Sequence, residues 1–293
     1  MIRVLVTGAA GQVGADVARA LAGRAQVAAY DRASLDLADP GAIAARVREA
    51  NPTVIVNAGA YTAVDRAETE TEAARAVNAR APGVLAAEAR RIGALLVHYS
   101  TDYVFDGTKP SAYVEADAPA PVNAYGATKL EGERAIAASG CRYVVLRTSW
   151  VYSARSANFF LTIRRLAGQR NELRIVDDQH GAPNWSRMLA ESTAAILAYG
   201  LHRERPTGIY HLSARGRTSW CGFAKAILEM LQIERAVAPI RTDEYPLPAR
   251  RPANSMLDTG KLERDLGIVL PDWRHCLGLF VAEFLEAREG GQA

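Results

Sequence analysis

The chain has 293 residues, 49% of them hydrophobic, and a formal net charge of +3, which is typical of a soluble globular protein with one large or two smaller domains. No dense Lys/Arg run with interleaved aromatic residues occurs, so a nucleic-acid partner is not expected. No segment approaches the roughly 20 apolar residues of a membrane span, and the first residues do not resemble a secretory signal. Three widely spaced cysteines are interpreted as reduced thiols, so we expect a cytoplasmic protein without a membrane partner.

The first half alternates short apolar runs with longer, alanine-rich segments of helical periodicity. Buried strands are predicted at 2–6, 26–30, 53–57, 95–99 and 143–147. Helices are predicted at 13–21, 41–50, 71–91 and 124–138. Repeated strand–helix units favour an α/β fold with a Rossmann-like, doubly wound parallel sheet, and residues 1–150 are predicted to form an NAD(P)-binding domain.

The alternation becomes less regular after residue 150. Helices are predicted at 159–166, 188–201, 219–231 and 275–287, and 242–258 is interpreted as an ordered loop. Residues 151–293 are therefore predicted to form mainly a smaller α/β substrate-binding lobe. A predicted strand at 208–212 is expected to return to the main sheet.

Gly8, Gly11 and Gly14 follow the first predicted strand and open the first predicted helix. Glycines let the backbone turn tightly and approach a pyrophosphate, and a helix N-terminus offers free N–H groups to phosphate oxygens. We therefore predict that this loop binds the diphosphate of a dinucleotide.

Acidic and basic residues after the second predicted strand bear on the choice of cofactor. Asp31 can accept hydrogen bonds from the adenosine ribose, which favours NAD, whereas Arg32 can meet the 2′-phosphate of NADP. Both NADPH and NADH are therefore predicted to act as the cofactor. Asp36 and Leu37 follow shortly and are predicted to line the adenine pocket.

Tyr125 and Lys129 stand four residues apart at the start of a predicted helix, so their side chains share one face. A phenol has an ordinary pKa near ~10, and a neighbouring ammonium is expected to lower it. Thr101 ends the fourth predicted strand, where open α/β sheets bind ligands, and its hydroxyl can hold a reacting oxygen. The three residues predict a proton donor, a group that tunes its pKa and a positioning group. The lysine can also bond a ribose hydroxyl, so Tyr125 and Lys129 are predicted to bind the cofactor as well.

Motifs from end to end of the chain resemble the extended short-chain dehydrogenase/reductases and, within them, the dTDP-4-dehydrorhamnose reductases. The matching stretches are "GQVG" (11–14), "VIVNAGAYTAVDRAE" (54–68), "HYSTDYVFDG" (98–107), "NAYGATKLEGE" (123–133), "RTSWVY" (147–152), "DQHGAP" (178–183) and "ARRPANSMLD" (249–258). This resemblance implies hydride transfer from NAD(P)H to the C4 ketone of dTDP-4-dehydro-L-rhamnose, with Tyr125 protonating the new alkoxide and Lys129 as its partner.

The resemblance also implies further contacts. Contacts with the cofactor are implied for Gly11, Gln12, Val13, Asp31, Asp36, Leu37, Ala60, Tyr61 and Thr62. Contacts with the substrate sugar are implied for Thr101, Asp102 and Trp150. The loop that contains Arg250 and Arg251 is a candidate for binding the diphosphate or the base, and we include Arg251 among the substrate-binding residues.

Other functions stay open. A nucleotide-sugar dehydratase needs an Asp-Glu pair after the threonine, but here Asp102 is followed by Tyr103, so dehydration is disfavoured. An epimerase shares the Tyr–Lys pair and is one alternative. A non-catalytic regulatory subunit, like the β subunit of methionine adenosyltransferase, is another.

Some family members are described as dimers bridged by magnesium on glutamates. The positions that align with two of those glutamates are Asp16 and Arg187, and an arginine cannot bind magnesium. We predict no metal and leave a homodimer open, but not one bridged in this way. His98 and His180 are interpreted as core and loop histidines. Trp185, Trp220 and Trp273 are interpreted as packing residues.

Overall fold

The computed structural model describes residues 2–202 and 206–289. The strands are β1 (Arg3–Thr7), β2 (Gln26–Tyr30), β3 (Val54–Asn57), β4 (Leu95–Thr101), β5 (Arg142–Thr148), β6 (Val151–Tyr152), β7 (Glu172–Val176), β8 (His180–Gly181), β9 (Asn184–Trp185), β10 (Gly208–His211), β11 (Thr218–Ser219) and β12 (Ala236–Ile240). The helices are α1 (Gln12–Leu21), α2 (Pro40–Ala50), α3 (Val64–Ala67), α4 (Thr71–Arg75), α5 (Ala81–Ile92), α6 (Ala124–Ala138), α7 (Phe159–Ala167), α8 (Ser186–His202), α9 (Trp220–Met230), α10 (Gly260–Leu266) and α11 (Trp273–Glu289).

Six parallel strands form the central sheet in the order β10-β5-β4-β3-β1-β2. The chain adds β2 on one side of β1 and then crosses to add β3 on the other side, so the strand order reverses between β1 and β3. Sheets of this kind bind ligands beyond the carboxyl ends of the strands at such a switch point. The predicted doubly wound parallel sheet is confirmed.

Both faces of the sheet are buried because successive side chains of a strand point to opposite sides. One face packs on α2 and α5 through Leu5, Ile55, Leu96 and Val145. The other face packs on α1 and α8 through Val4, Val6, Val56, Val97 and Leu146. The near-continuous apolar sequence of the strands follows from this double coverage.

The second face belongs to a hydrophobic cluster that crosses residue 150. It joins Val6 of β1 to Leu189 of α8, Phe160 of α7 and Phe280 of α11. The two halves of the chain therefore share one core. The division into a cofactor domain at 1–150 and a substrate lobe at 151–293 stays a prediction about which residues bind which part of the ligand.

The sequence predicts none of the small sheets of the second half. β7 pairs in parallel with β12, and the two-residue strands pair as β6 with β9 and β8 with β11. Two-residue strands are too short to show an alternating pattern, and Pro239 within β12 lacks an N–H. These strands depend on partners that are distant in the chain.

The helix predicted at 71–91 is also interrupted. α4 and α5 are separated by a π-helical turn at Ala76–Arg80, a kind of insertion that often occurs at functional sites. In the described part of the chain, no helix has the length and apolar character needed to cross a bilayer.

Candidate active site

Gly8 and Gly14, in and just beyond the loop after β1, have no room for a side chain. Gly8 has φ of +68°, and a Cβ there would lie 2.7 Å from the backbone of Gly59 beyond β3. A Cβ on Gly14 would lie 2.2 Å from the carbonyl oxygen of Gly8. The chain therefore turns tightly at the switch point between β1 and β3, as a diphosphate-binding loop does.

The N-terminus of α1 is suited to an anion. Its cap residue, Gly11, has no side chain to occupy the first N–H groups, and the first turn contains no acidic residue. These N–H groups and the helix dipole favour a negative ligand. Gln12 Oε1 accepts a hydrogen bond from the Ser153 hydroxyl at 2.9 Å, and Val13 packs on the core, so both would meet a ligand through the backbone.

Replacing Gly8 with alanine is expected to lower NADPH affinity by about tenfold or more, because the new methyl group must displace the backbone of Gly59. Gly23→Ala is the matched control: Gly23 has φ of +77°, and nothing lies within 4 Å of the place that its new methyl group would take. Both variants carry the left-handed backbone penalty of roughly 1–2 kcal/mol, which denaturant unfolding measures. Equal NADPH affinities in a binding titration of the two variants would contradict the assignment of this loop.

The residues predicted to contact adenosine follow β2. Asp31 Oδ1 accepts hydrogen bonds from the N–H and hydroxyl of Ser34 at 2.9 and 2.7 Å, and these bonds lower the pKa of Asp31. Asp36 Oδ1 accepts from Ala38 N–H at 2.9 Å, and Leu37 is buried against Gly59. An ionised carboxylate is therefore fixed at the end of β2, as ribose recognition would need.

The predicted cofactor contacts Ala60, Tyr61 and Thr62 form the loop after β3. Asn78, from the π-helical turn, holds this loop by accepting from Tyr61 N–H at 2.9 Å and donating to the Tyr61 carbonyl at 3.0 Å. The Tyr61 hydroxyl donates to Glu70 at 2.6 Å, which raises the pKa of Tyr61. The sequence does not predict this role for Asn78, because an asparagine inside an apparently continuous helix gives little sign of it.

The structure brings Tyr125, Thr101 and Asp102 together. Tyr125 lies in the first turn of α6, edge-on to Tyr103 with 5.9 Å between ring centroids. The Thr101 hydroxyl donates to Asp102 Oδ1 at 3.0 Å and lies close enough to the Tyr125 phenol to lower its pKa. The hydroxyl that was predicted to hold a reacting oxygen thus lies between a phenol and a carboxyl group.

Burial has the largest effect on the pKa values of Tyr125 and Asp102. It raises the pKa of Tyr125 to about 12, against the opposing effect of Thr101. It also raises the pKa of Asp102 to about 7, although nearby hydroxyls favour the ionised form. Asp102 Oδ2 has no hydrogen-bond partner among the residues that the structure describes. Near neutrality this carboxyl can therefore accept from, or donate to, a ligand hydroxyl.

Lys129 is buried on α6, one turn after Tyr125. Its Nζ donates to the Tyr99 carbonyl at 2.6 Å and lies 3.3 Å from His98 Nε2, and burial lowers the pKa of Lys129 to about 8. The sequence predicts that Lys129 lowers the pKa of Tyr125. In this arrangement burial has the larger effect and raises the phenol pKa, so the influence of Lys129 on Tyr125 stays a prediction.

A buried ion pair lies one further turn along the same helix. Glu133 accepts hydrogen bonds from Arg147 Nε and Nη2 at 3.0 and 2.7 Å, and from the Ser100 hydroxyl. The two charged side chains are only 3% and 2% exposed. The pair joins α6 to β4 and β5 and so fixes the helix that carries Tyr125 and Lys129.

A cavity of about 630 Å³ opens beside Tyr103. Elements of the second half supply most of its wall, which includes the apolar residues Phe159, Ile163, Leu166 and Leu247. Trp220, interpreted from the sequence as a packing residue, also lines it. Arg170 and Arg250 line it as well, so apolar surface and positive charge occur together.

Two predicted substrate-binding residues have other partners. Arg251 lines the cavity, but its guanidinium forms two hydrogen bonds with Asp65, at 2.6 and 2.8 Å, and so anchors the 242–258 loop to α3. Trp150 stacks on Trp220 with 3.6 Å between centroids and has φ of +43°. Trp150 therefore supports the cavity wall through its stacking partner.

The bare glycine turn at the switch point, with a tyrosine and a lysine one helical turn apart beside it, is the architecture of an extended short-chain dehydrogenase/reductase. The family model described as RmlD substrate binding domain matches residues 2–286, so the chain belongs to that family.

Individual relatives resemble the chain over almost its whole length. A dTDP-4-dehydrorhamnose reductase of Burkholderia thailandensis is 51% identical, over 97% of this chain and 99% of the relative. A crystal structure of a dTDP-4-dehydrorhamnose reductase from Clostridium acetobutylicum superposes with a TM-score of 0.93 at 35% identity, over 97% of this chain and 100% of that one. The Bacillus anthracis dTDP-4-dehydrorhamnose reductase, in complex with NADP, has a TM-score of 0.90 at 34% identity, over 96% and 99% of the two chains.

Proposed function

We propose that this protein reduces dTDP-4-dehydro-L-rhamnose to dTDP-L-rhamnose with NADPH or NADH, the last step in making this sugar nucleotide for cell-surface polysaccharide. The observation that carries the proposal is the grouping of Tyr125, Thr101 and Asp102 beyond the sheet, next to a cavity with apolar and cationic walls. The names of the relatives support the same substrate.

The residues of the site suit a carbonyl reduction. A nicotinamide cofactor, when bound, supplies the hydride to the carbonyl carbon. Tyr125 donates its proton to the resulting alkoxide, and its raised pKa keeps the phenol protonated at neutral pH. The Thr101 hydroxyl holds the sugar oxygen beside the phenol, while the unpaired oxygen of Asp102 can bind a neighbouring sugar hydroxyl.

The cavity suits the nucleotide. A thymine base would lie against the apolar wall that includes Phe159 and Leu166, and Arg170 and Arg250 would meet the diphosphate. Arg251 would act indirectly, since its ion pair with Asp65 holds the loop that carries Arg250. For the cofactor, fixed Asp31 beside exposed Arg32 supports use of both NADH and NADPH.

An assay of cofactor oxidation tests the proposal. The purified protein is mixed with NADPH or NADH and with dTDP-4-dehydro-L-rhamnose generated in situ, and absorbance and the sugar product are followed. Oxidation of the cofactor with stoichiometric dTDP-L-rhamnose is expected. No oxidation with either cofactor would contradict the proposal, and a changed sugar epimer without net oxidation would favour an epimerase.

We further propose that the protein works in the cytoplasm and that a homodimer, if it forms, is not bridged by magnesium. All three cysteines are buried and unpaired, as is usual in a reducing compartment. The positions aligned with the metal-binding glutamates have partners within the chain: Arg187 pairs with Glu283, and Asp16 accepts from the Ser186 hydroxyl at 2.5 Å.

A further inference from the structure

A chain of buried polar groups runs beneath the site from β1 to α6. The Thr7 hydroxyl lies 2.6 Å from Asn57 Oδ1, and Asn57 Nδ2 lies 2.9 Å from His98 Nδ1. The other ring nitrogen of His98, Nε2, lies 3.3 Å from Lys129 Nζ. Asn57 and His98 are fully buried, and Lys129 is 2% exposed, so water does not replace these contacts.

The Lys129 ammonium needs these contacts because no carboxylate is free to balance its charge among the residues that the structure describes. The Glu133 carboxylate raises the pKa of Lys129, but it already accepts hydrogen bonds from Arg147 and Ser100. An ammonium carries three N–H donors. One goes to the Tyr99 carbonyl and one is directed at His98, so one remains available to a ligand.

We propose that His98 is a positioning residue, which accepts a hydrogen bond at Nε2 from the Lys129 ammonium and aims the remaining N–H at the cofactor. The inference rests on the proposed function and on the prediction that Lys129 binds the cofactor. It requires the proton of the neutral ring to be on Nδ1, with the Asn57 amide turned so that its oxygen accepts from Nδ1–H.

With the Asn57 amide turned, the Thr7 hydroxyl loses its acceptor. With the amide unturned, the His98 proton is on Nε2 and points at the Lys129 ammonium. A hydrogen bond to a charged group is stronger than one between neutral groups, so the turned amide is the more stable arrangement while Lys129 is charged. The chain of groups is not a proton wire, because passing a proton through the Asn57 amide would require it to tautomerise. Its role is therefore to fix geometry.

Two substitutions of His98 distinguish the roles of its two ring nitrogens. His98→Asn keeps a polar group near the position of Nδ1 but loses the contact with Lys129, whereas His98→Gln can place an amide oxygen near the position of Nε2. We expect kcat/KM for NADPH to fall by about tenfold or more in His98→Asn and to stay within about threefold in His98→Gln. Equal losses in both variants would mean that His98 serves only the fold.

The pH profile provides a readout that a purely structural role would not change. Activity is expected to fall as pH rises through the Lys129 pKa of about 8. Losing an acceptor disfavours the ammonium, so this alkaline limb should move to lower pH in His98→Asn and not in His98→Gln. Glu133 acts on Lys129 and is itself paired with Arg147, and Asp102 acts on Tyr125; all three are unchanged in both variants. An unmoved limb in His98→Asn would overturn the proposal.

The tautomer can be measured in the unmodified protein, even if a variant fails to fold. Nitrogen-15 NMR at pH 7 should show the His98 proton on Nδ1, and a proton on Nε2 would overturn the proposal. Because this measurement does not depend on turnover, it separates failure of the His98 role from failure of the reductase assignment.

Discussion

Replacing Tyr125 with phenylalanine is expected to lower kcat by about 10²–10⁴-fold, the usual contribution of a general acid, and to leave NADPH affinity within about twofold. The change removes one oxygen from a partly buried ring whose hydroxyl lies beside Thr101. Ring packing against Tyr103 stays, so the site keeps its shape. Steady-state kinetics with the sugar nucleotide and a separate NADPH titration measure the two effects.

Tyr143→Phe is the matched control, because it removes the same atom from β5 at a distance from the switch point. Its kcat should equal that of the unmodified protein. If Tyr125→Phe kept its rate as well, another group would have to be the proton donor, and Asp102, with a pKa of about 7, would be the first to test.

Replacing Arg147 with methionine is expected to lower the free energy of unfolding by about 3–5 kcal/mol. The change leaves the Glu133 carboxylate buried with the Ser100 hydroxyl but without its cation. Denaturant unfolding monitored by circular dichroism measures the loss. Activity should fall too, since Glu133 lies on the helix that positions Lys129.

Two further variants show whether charge burial is the cause. Arg274→Met breaks a pair with Glu229 in which both side chains are about half exposed or more, and it should cost less than about 1 kcal/mol. The double variant Arg147→Met/Glu133→Met removes both buried charges and should recover most of the lost stability. A double variant as unstable as Arg147→Met would instead point to packing, including the contact of Arg147 with the Phe105 ring.

The central sheet could be predicted from sequence because its signals are local. Each strand is a short apolar run, and each helix has its own periodicity. The strands β7 and β12 could not be predicted in this way, because each is stabilised by a partner about 60 residues away. The π-helical turn was missed for a related reason, since only its packing against α6 shows why the helix is interrupted there.

In the candidate site, too, some features could be predicted from local sequence and others could not. Gly8, Tyr125 and Lys129 could be recognised because a glycine turn and a four-residue helical spacing are both local features of the sequence. The pKa of Tyr125 depends on burial and could not be read from its spacing to Lys129. Asn57 and His98 look like ordinary core polar residues until the register of β3 beside β4 places them next to each other.

The shared core also has a consequence for synthesis. Thr148 leaves the ribosome about 40 residues before Leu189, and at about 5–20 residues per second roughly 2–8 s pass between them. During that interval the sheet has most of its strands but lacks the α8 helix that covers one apolar face. The growing chain therefore exposes an aggregation-prone surface, and a fragment that stops near residue 150 would retain it permanently.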